Sequence, residues 1–75
     1  MPGVNHDNLE DVFTYHPPET EAQRAAYAEI RERGKDLAAA ILQHTPTCGD
    51  QQAAIRKVRE AVFTANAAVA LKGLV

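Results

Sequence analysis

The sequence lacks tryptophan, and two tyrosines and two phenylalanines are its only aromatic residues. It has a single cysteine, Cys48, which excludes an intrachain disulfide framework and is typical of a reducing compartment. No apolar run approaches the roughly 20 residues needed to cross a bilayer, and the first residues lack the basic and apolar regions of a signal peptide. We therefore expect a cytoplasmic protein without a membrane partner.

Neither sign of charge predominates in the sequence. The net charge is −2, so no general attraction to DNA, RNA or anionic lipid is expected. The 75 residues suffice for one small domain, and much of the apolar share is alanine, which contributes little on burial. Two helices of this composition would each leave a face uncovered, which predicts a homo-oligomer.

The strongest local pattern runs from Thr20 to Thr45. Thr20 can cap the first turn of a helix, Gln23 can reach back to complete a capping box, and Pro46 forces the end. The alternating three- and four-residue spacing of a packing seam is carried by Tyr27, Ile30, Gly34, Leu37 and Ile41. The pattern predicts a helix of roughly 25 residues.

A second helix follows a short connector, Pro46 to Gly49. Asp50 is the expected N-cap, and the helix should run to about Leu71 with Gly73 as its stop. Its seam positions are Ile55, Val58, Val62, Ala65 and Val69. The short connector predicts an all-α fold, an antiparallel two-helix hairpin over residues 19–75.

Residues 1–18 have no sustained helical period and predict an N-terminal arm with one helical turn around Leu9 to Phe13. Phe13 and Tyr15 are the large side chains expected to anchor this arm to the helices. Phe13 is interpreted as a core residue. Tyr15, with its polar hydroxyl, is equally suited to packing and to closing over a ligand.

No constellation predicts an enzyme. Cys48 has His44 nearby but no third group to orient the pair. His6, Asp7 and Asp11 lie on a polar arm without a metal-ligand spacing, and their interpretation is a solvated terminus. We therefore predict no catalytic residue, no metal and no cofactor.

Two basic stripes allow two interpretations. The first helix carries Arg24, Arg31 and Lys35 on one face, and the second carries Arg56, Arg59, Phe63 and Asn66. Spacing alone favours ordinary solvated flanks. If the stripes meet at a subunit junction, however, they suit an anion with planar bases, since Arg grips phosphate, aromatic rings stack and Asn pairs with a base edge. Asn66 could equally specify subunit register, and His16, which precedes two prolines, could be a turn residue.

Three segments together resemble a known family: FTYHPP at 13–18, the pattern Y-x-x-I-R-x-x-G-K-x-L-A at 27–38, and REAVFTANAAVA at 59–70. They resemble the helical hairpin shared by phage anti-CBASS and anti-Thoeris sponges. The resemblance implies a homohexamer, a trimer of dimers, that binds cyclic nucleotide immune messengers between protomers without cleaving them. Those messengers are cyclic dinucleotides such as cyclic GMP-AMP, or cyclic ADP-ribose isomers.

By motif, the family's dinucleotide-gripping tyrosine and lysine fall on Tyr15 and Arg31, and Arg in place of Lys keeps the charge. The family's arginine for cyclic trinucleotides falls on Ala67, so trinucleotide binding should be absent or weak. The predicted ligand-binding residues are Tyr15, His16, Arg31, Lys35, Arg59 and Asn66. The expected location is the cytoplasm of an infected bacterium, and the alternative function is a structural or protein-interaction hairpin that binds no ligand.

Overall fold

The computed structural model describes residues 3–74, so residues 1, 2 and 75, at the ends of the predicted arm and hairpin, lie outside it. Three helices follow in chain order: α1 (Leu9–Phe13), α2 (Glu21–His44) and α3 (Gly49–Ala70). Over residues 3–74 there is no strand. The all-α prediction is confirmed, and α2 and α3 form the long hairpin.

The ends of α2 are those that the sequence predicts. The Thr20 hydroxyl accepts a hydrogen bond from the Gln23 N–H at 3.1 Å. In a standard capping box the Gln23 side chain would accept from the N–H of Thr20, the N-cap. Here its Oε1 accepts instead from the N–H of the preceding residue, Glu19, at 2.8 Å. At the other end Thr45 is the C-cap and Pro46 follows.

The predicted cap of α3 is wrong. Cys48 occupies the N-cap position with extended backbone and makes no side-chain cap, since the helix already begins at Gly49. Asp50 therefore lies inside the first turn, where its carboxylate interacts favourably with the positive end of the helix dipole. The connector is instead held by Gln51, whose Nε2 donates to the Thr45 carbonyl at 3.2 Å.

The stop of α3 also differs in detail from the prediction. The Gly73 N–H donates to the Ala68 carbonyl and the Lys72 N–H to the Val69 carbonyl, the two bonds of a Schellman motif. Gly73 has φ +77°, but the first left-handed residue is Lys72, with φ +55°. A lysine thus occupies the position that glycine fills most easily.

The seam between α2 and α3 is closest at Gly34. A Cβ atom there would lie 2.5 Å from Cγ2 of Val62, so only glycine permits this helix separation. The predicted α3 seam residues are all half-buried. On α2 one prediction is wrong: Leu37 is 54% exposed, and Ala38 takes the inward position beside it.

The hairpin encloses no apolar core. No hydrophobic side chain in residues 3–74 is fully buried, and the only buried side chains are the amides Asn8 and Gln51. Asn8 ties the arm to itself, accepting from the Asn5 N–H at 2.9 Å and donating to the Gly3 carbonyl at 2.9 Å. Each buried amide orders a loop, and the apolar side chains remain partly open to solvent.

The helical turn predicted in the arm is confirmed as α1. The predicted anchors are wrong, because Phe13 is 80% and Tyr15 83% exposed within the single chain. Within the arm, His16 Nε2 lies 2.7 Å from the Asp11 carbonyl, and just after the arm Glu19 pairs with Lys72 at 3.7 Å. The arm thus crosses the open end of the hairpin with its two largest rings mostly exposed.

Within residues 3–74, no helix is both long and apolar enough to cross a membrane.

Candidate ligand-binding site

The two predicted basic stripes meet on one side of the seam. Arg31 and Lys35 project from α2 one turn apart, and Arg59 and Phe63 project from α3 with the same spacing. Together they border a groove of about 190 Å³, which we call the cationic groove. Its floor consists of Gly34, Ala38, Val58 and Val62. No carboxylate lines it.

The two arginines of this groove differ from its lysine in ion pairing. Within residues 3–74, neither Arg31 nor Arg59 forms an ion pair with a carboxylate, whereas Lys35 lies 3.8 Å from Glu32. The Arg59 guanidinium carbon is 5.9 Å from the centre of the Phe63 ring, within cation–π range. Two uncompensated guanidinium groups over an apolar floor form a surface suited to an anion.

A second groove lies where the arm crosses the hairpin. This arm groove has a volume of about 390 Å³ and contains Tyr15 and His16 of the arm, Tyr27 of α2, and Phe63 and Asn66 of α3. The remaining wall is formed by Val12, Thr14, Pro18, Ala67, Ala70 and Leu71. Three aromatic rings and an amide are the groups that stack on and pair with a nucleobase.

The six predicted binding residues therefore divide into two sets. Arg31, Lys35 and Arg59 line the cationic groove, and Tyr15, His16 and Asn66 line the arm groove. Phe63 belongs to both grooves and joins them along one face of the hairpin. Tyr15 and Arg31 thus lie in adjoining grooves of one chain. Arg56, the other arginine of the α3 stripe, lines neither groove.

Within the arm groove, two polar side chains differ in how they are held. The His16 ring is engaged with the Asp11 carbonyl, so it joins two parts of the arm as well as lining the groove. The Asn66 Oδ1 atom is buried and has no hydrogen-bond partner among the described residues. Ala67 brings no charge to this wall.

Tyr27, a predicted seam residue, also lines the arm groove, a position not predicted from the sequence. Tyr27 is half-buried and serves both surfaces. A usable signal was present, because Tyr27 precedes Arg31 by four residues and so lies on the same helical face as the basic stripe. Phe63 was recognised within the α3 stripe, but its position between the two grooves depends on how the helices cross.

The opposite side of the seam carries a third groove of about 450 Å³. This apolar groove is lined by Ile30, Gly34, Leu37, Val58, Ala61, Val62 and Ala65, with Arg33 and Lys57 at its rim. Arg33 is compensated by Glu29 at 3.5 Å and Asp36 at 3.3 Å. This side offers mainly apolar area for packing, with Lys57 as its one cation that has no carboxylate partner within residues 3–74.

Outside these grooves little could carry chemistry. Cys48 is an exposed thiol in the connector. Among residues 3–74, no three His, Cys, Asp or Glu side chains are grouped so that they could hold a metal ion.

Comparison with known proteins gives one match. Residues 5–70 match the family model described as "Acb2/Tad1, hairpin domain". No curated protein and no solved structure matches the chain. The matched range contains the arm from Asn5, both long helices and every residue of the cationic and arm grooves except Leu71.

Proposed function

The chain belongs to the Acb2/Tad1 hairpin-domain family, the family of phage anti-CBASS and anti-Thoeris sponge proteins, and from that premise we propose that it sequesters cyclic nucleotide immune messengers. The observation that carries the proposal is the pairing of a carboxylate-free cationic groove with an aromatic groove through Phe63. A cyclic nucleotide presents the same two chemistries, phosphate and base, within one compact molecule.

The cationic groove would take the phosphates. A guanidinium can donate two parallel hydrogen bonds to a phosphate, and no carboxylate within residues 3–74 pairs with Arg31 or Arg59. Lys35 adds a third cation, partly compensated by Glu32. Charge-assisted bonds over an apolar floor are a reasonable source of the tight affinity that sequestration requires.

The arm groove would take a base. Tyr15, Tyr27 and Phe63 offer ring faces, and Asn66 offers an amide for the base edge. Its 390 Å³ lies within the range of about 300–1,000 Å³ typical of small-molecule sites, whereas the 190 Å³ of the cationic groove lies below it. A cyclic dinucleotide would therefore occupy both grooves. The wall at Ala67 provides no further phosphate contact, which favours dinucleotides over trinucleotides.

Self-association into the hexamer implied by the family is part of the proposal. The chain exposes 5698 Å² of surface, against about 4,500 Å² for a compact monomer of its 8.2 kDa mass. The excess exceeds the roughly 800 Å² that one partner contributes to a standard interface. A second copy over the apolar groove would cover this area, and the exposed rings of Phe13 and Tyr15 could then meet a neighbouring subunit.

The ligand would be held without being cleaved, in the cytoplasm of an infected bacterium. The grooves supply cations, rings and an amide but no carboxylate, and the ring of His16, their one imidazole, is engaged with the Asp11 carbonyl. Titration calorimetry with a panel of cyclic dinucleotides, cyclic trinucleotides and cyclic ADP-ribose isomers tests binding. Heat denaturation of the complex followed by chromatography tests cleavage, and we expect the nucleotide to be recovered intact.

The apolar groove favours one alternative, a hairpin that binds a protein partner and no nucleotide. The panel separates the two functions. Micromolar or tighter binding of at least one cyclic nucleotide supports the sponge, and absence of binding across the panel would leave the interaction hairpin.

A further inference from the structure

Asn66 is an exception among the inward-facing amides of this protein. The Asn8 and Gln51 side chains are both bonded to loop backbone, at 2.9 Å and 3.2 Å. The Asn66 side chain is half-buried, but its Oδ1 atom is removed from solvent, and no donor within residues 3–74 reaches it. Because most buried side-chain polar atoms have a partner, an unpartnered acceptor calls for an explanation.

Its surroundings indicate what kind of donor is missing. Asn66 lies in the arm groove beside Tyr15, Tyr27 and Phe63, and no carboxylate lines this groove. A planar ring stacked on these side chains would bring its edge against the amide. Rotation of the terminal amide is soft, so either Oδ1 or Nδ2 can be turned toward such an edge.

We propose that Asn66 selects adenine in the bound messenger, an inference that rests on the proposed function. The amide Oδ1 would accept a hydrogen bond from the exocyclic N6 amine while Nδ2 donates to N7, the pairing that asparagine makes with adenine. Guanine and hypoxanthine carry an O6 acceptor in place of the amine. Nδ2 could donate to O6 or N7 of such a base, but the edge has no donor for Oδ1, which would stay unpartnered.

The consequence is a preference that can be measured with matched ligands. Cyclic di-AMP and cyclic di-IMP share the same phosphates and sugars and differ at position 6 of each base, amine against carbonyl. One good bidentate pair corresponds to a discrimination of roughly 5- to 150-fold. We expect the full-length protein to bind cyclic di-AMP about 10- to 100-fold more tightly than cyclic di-IMP.

The variant Asn66→Leu keeps a similar side-chain size and removes both hydrogen-bonding atoms. We expect the ratio of the two dissociation constants to fall to about 1–3 in this variant, since phosphate contacts are common to both ligands. A residue that only supports packing or subunit register would weaken both ligands together and leave the ratio unchanged. Thr64→Leu, an exposed substitution on the same helix outside both grooves, is the matched control and should keep the wild-type ratio.

Three outcomes would overturn the inference. Equal wild-type affinities for the two ligands, or tighter binding of cyclic di-IMP, would overturn it while leaving the sponge function intact, and this comparison needs no variant to fold. An unchanged ratio in Asn66→Leu would assign the preference to another residue. Failure to bind any cyclic nucleotide in the calorimetric panel would overturn the proposed function, and the adenine preference with it.

Discussion

The two sides of the α2–α3 seam share a floor and differ in everything that borders it. Gly34, Val58 and Val62 line both the cationic and the apolar groove. On one side the rim carries Arg31 and Arg59, which have no carboxylate partner within residues 3–74. On the other side Arg33 is paired twice, and only Lys57 lacks such a partner among these residues. Adjacent positions along each helix therefore face different grooves, one suited to anions and the other suited to packing. This separation suggests that ligand binding and assembly can be altered independently.

The largest effect should follow a charge placed in the apolar groove. Leu37→Glu removes apolar contact and buries a carboxylate wherever a second copy covers the groove, costing at least about 3 kcal/mol per copy. We expect sedimentation velocity to show dissociation or loss of folded protein. Leu42→Glu is a matched control, because Leu42 is 55% exposed and Leu37 54%, but Leu42 lines none of the three grooves. Equal behaviour of the two variants would contradict a role for this groove in assembly.

The second-largest effect is expected for a substitution in the cationic groove. Arg31→Ala should weaken cyclic dinucleotide binding by about 10- to 150-fold, the equivalent of one charged hydrogen bond worth roughly 1.5–3 kcal/mol. Its control is Arg33→Ala, which removes the same charge from the other side of the seam, where Glu29 and Asp36 already compensate it. Calorimetry on both variants, with the oligomeric state checked in parallel, decides the matter. A similar loss in both would mean that net charge, not position, governs binding.

A smaller effect, shared by both sides, is expected at the helix crossing. Gly34→Ala places a methyl group against Val62 and should destabilise the fold by about 1–2 kcal/mol, since overpacking outweighs the better helix propensity of alanine. Urea denaturation measures this cost. The double variant with Val62→Ala should recover about 1 kcal/mol through pairwise coupling. Strict additivity of the two changes would show that the helices separate freely at this point.

The smallest effect should lie outside the grooves, at the end of α3. Lys72→Gly relieves the left-handed backbone of a non-glycine residue and should stabilise the fold by about 0.5–1 kcal/mol. Lys72→Ala loses the same ion pair to Glu19 but keeps the unfavourable backbone, so it isolates the contribution of that exposed pair. Thermal unfolding should rank glycine above lysine and alanine. Lower stability of the glycine variant than of alanine would contradict the backbone explanation.

Much of the hairpin could be predicted because nearby residues determine where its helices begin and end. Thr20 and Pro46 mark α2 by capping and by steric exclusion, effects that act within a few residues. The α3 seam follows from helical period alone. The arm could not be treated in this way, because hydrophobicity indicates that Phe13 and Tyr15 need covering but not which surface covers them.

The residues that border the candidate grooves could be named from the sequence, and their arrangement only in part; their role in binding stays a prediction. Helical spacing placed Arg31 with Lys35 and Arg59 with Phe63, and the crossing at Gly34 then brought the two pairs together. Spacing could not show that Phe63 lines both the cationic groove and the arm groove. Nor could it show that the Asn66 Oδ1 atom has no hydrogen-bond partner among the described residues. Both facts depend on how one helix is rotated against the other, which a single sequence does not specify.

Both tyrosines of the protein lie on the arm groove, and the chain has no tryptophan. Near-ultraviolet emission from this protein therefore originates at the place where a base would stack. Quenching of that emission gives a label-free optical titration of an unmodified chain, and replacing Tyr15 with Phe would show which of the two fluorophores meets the ligand.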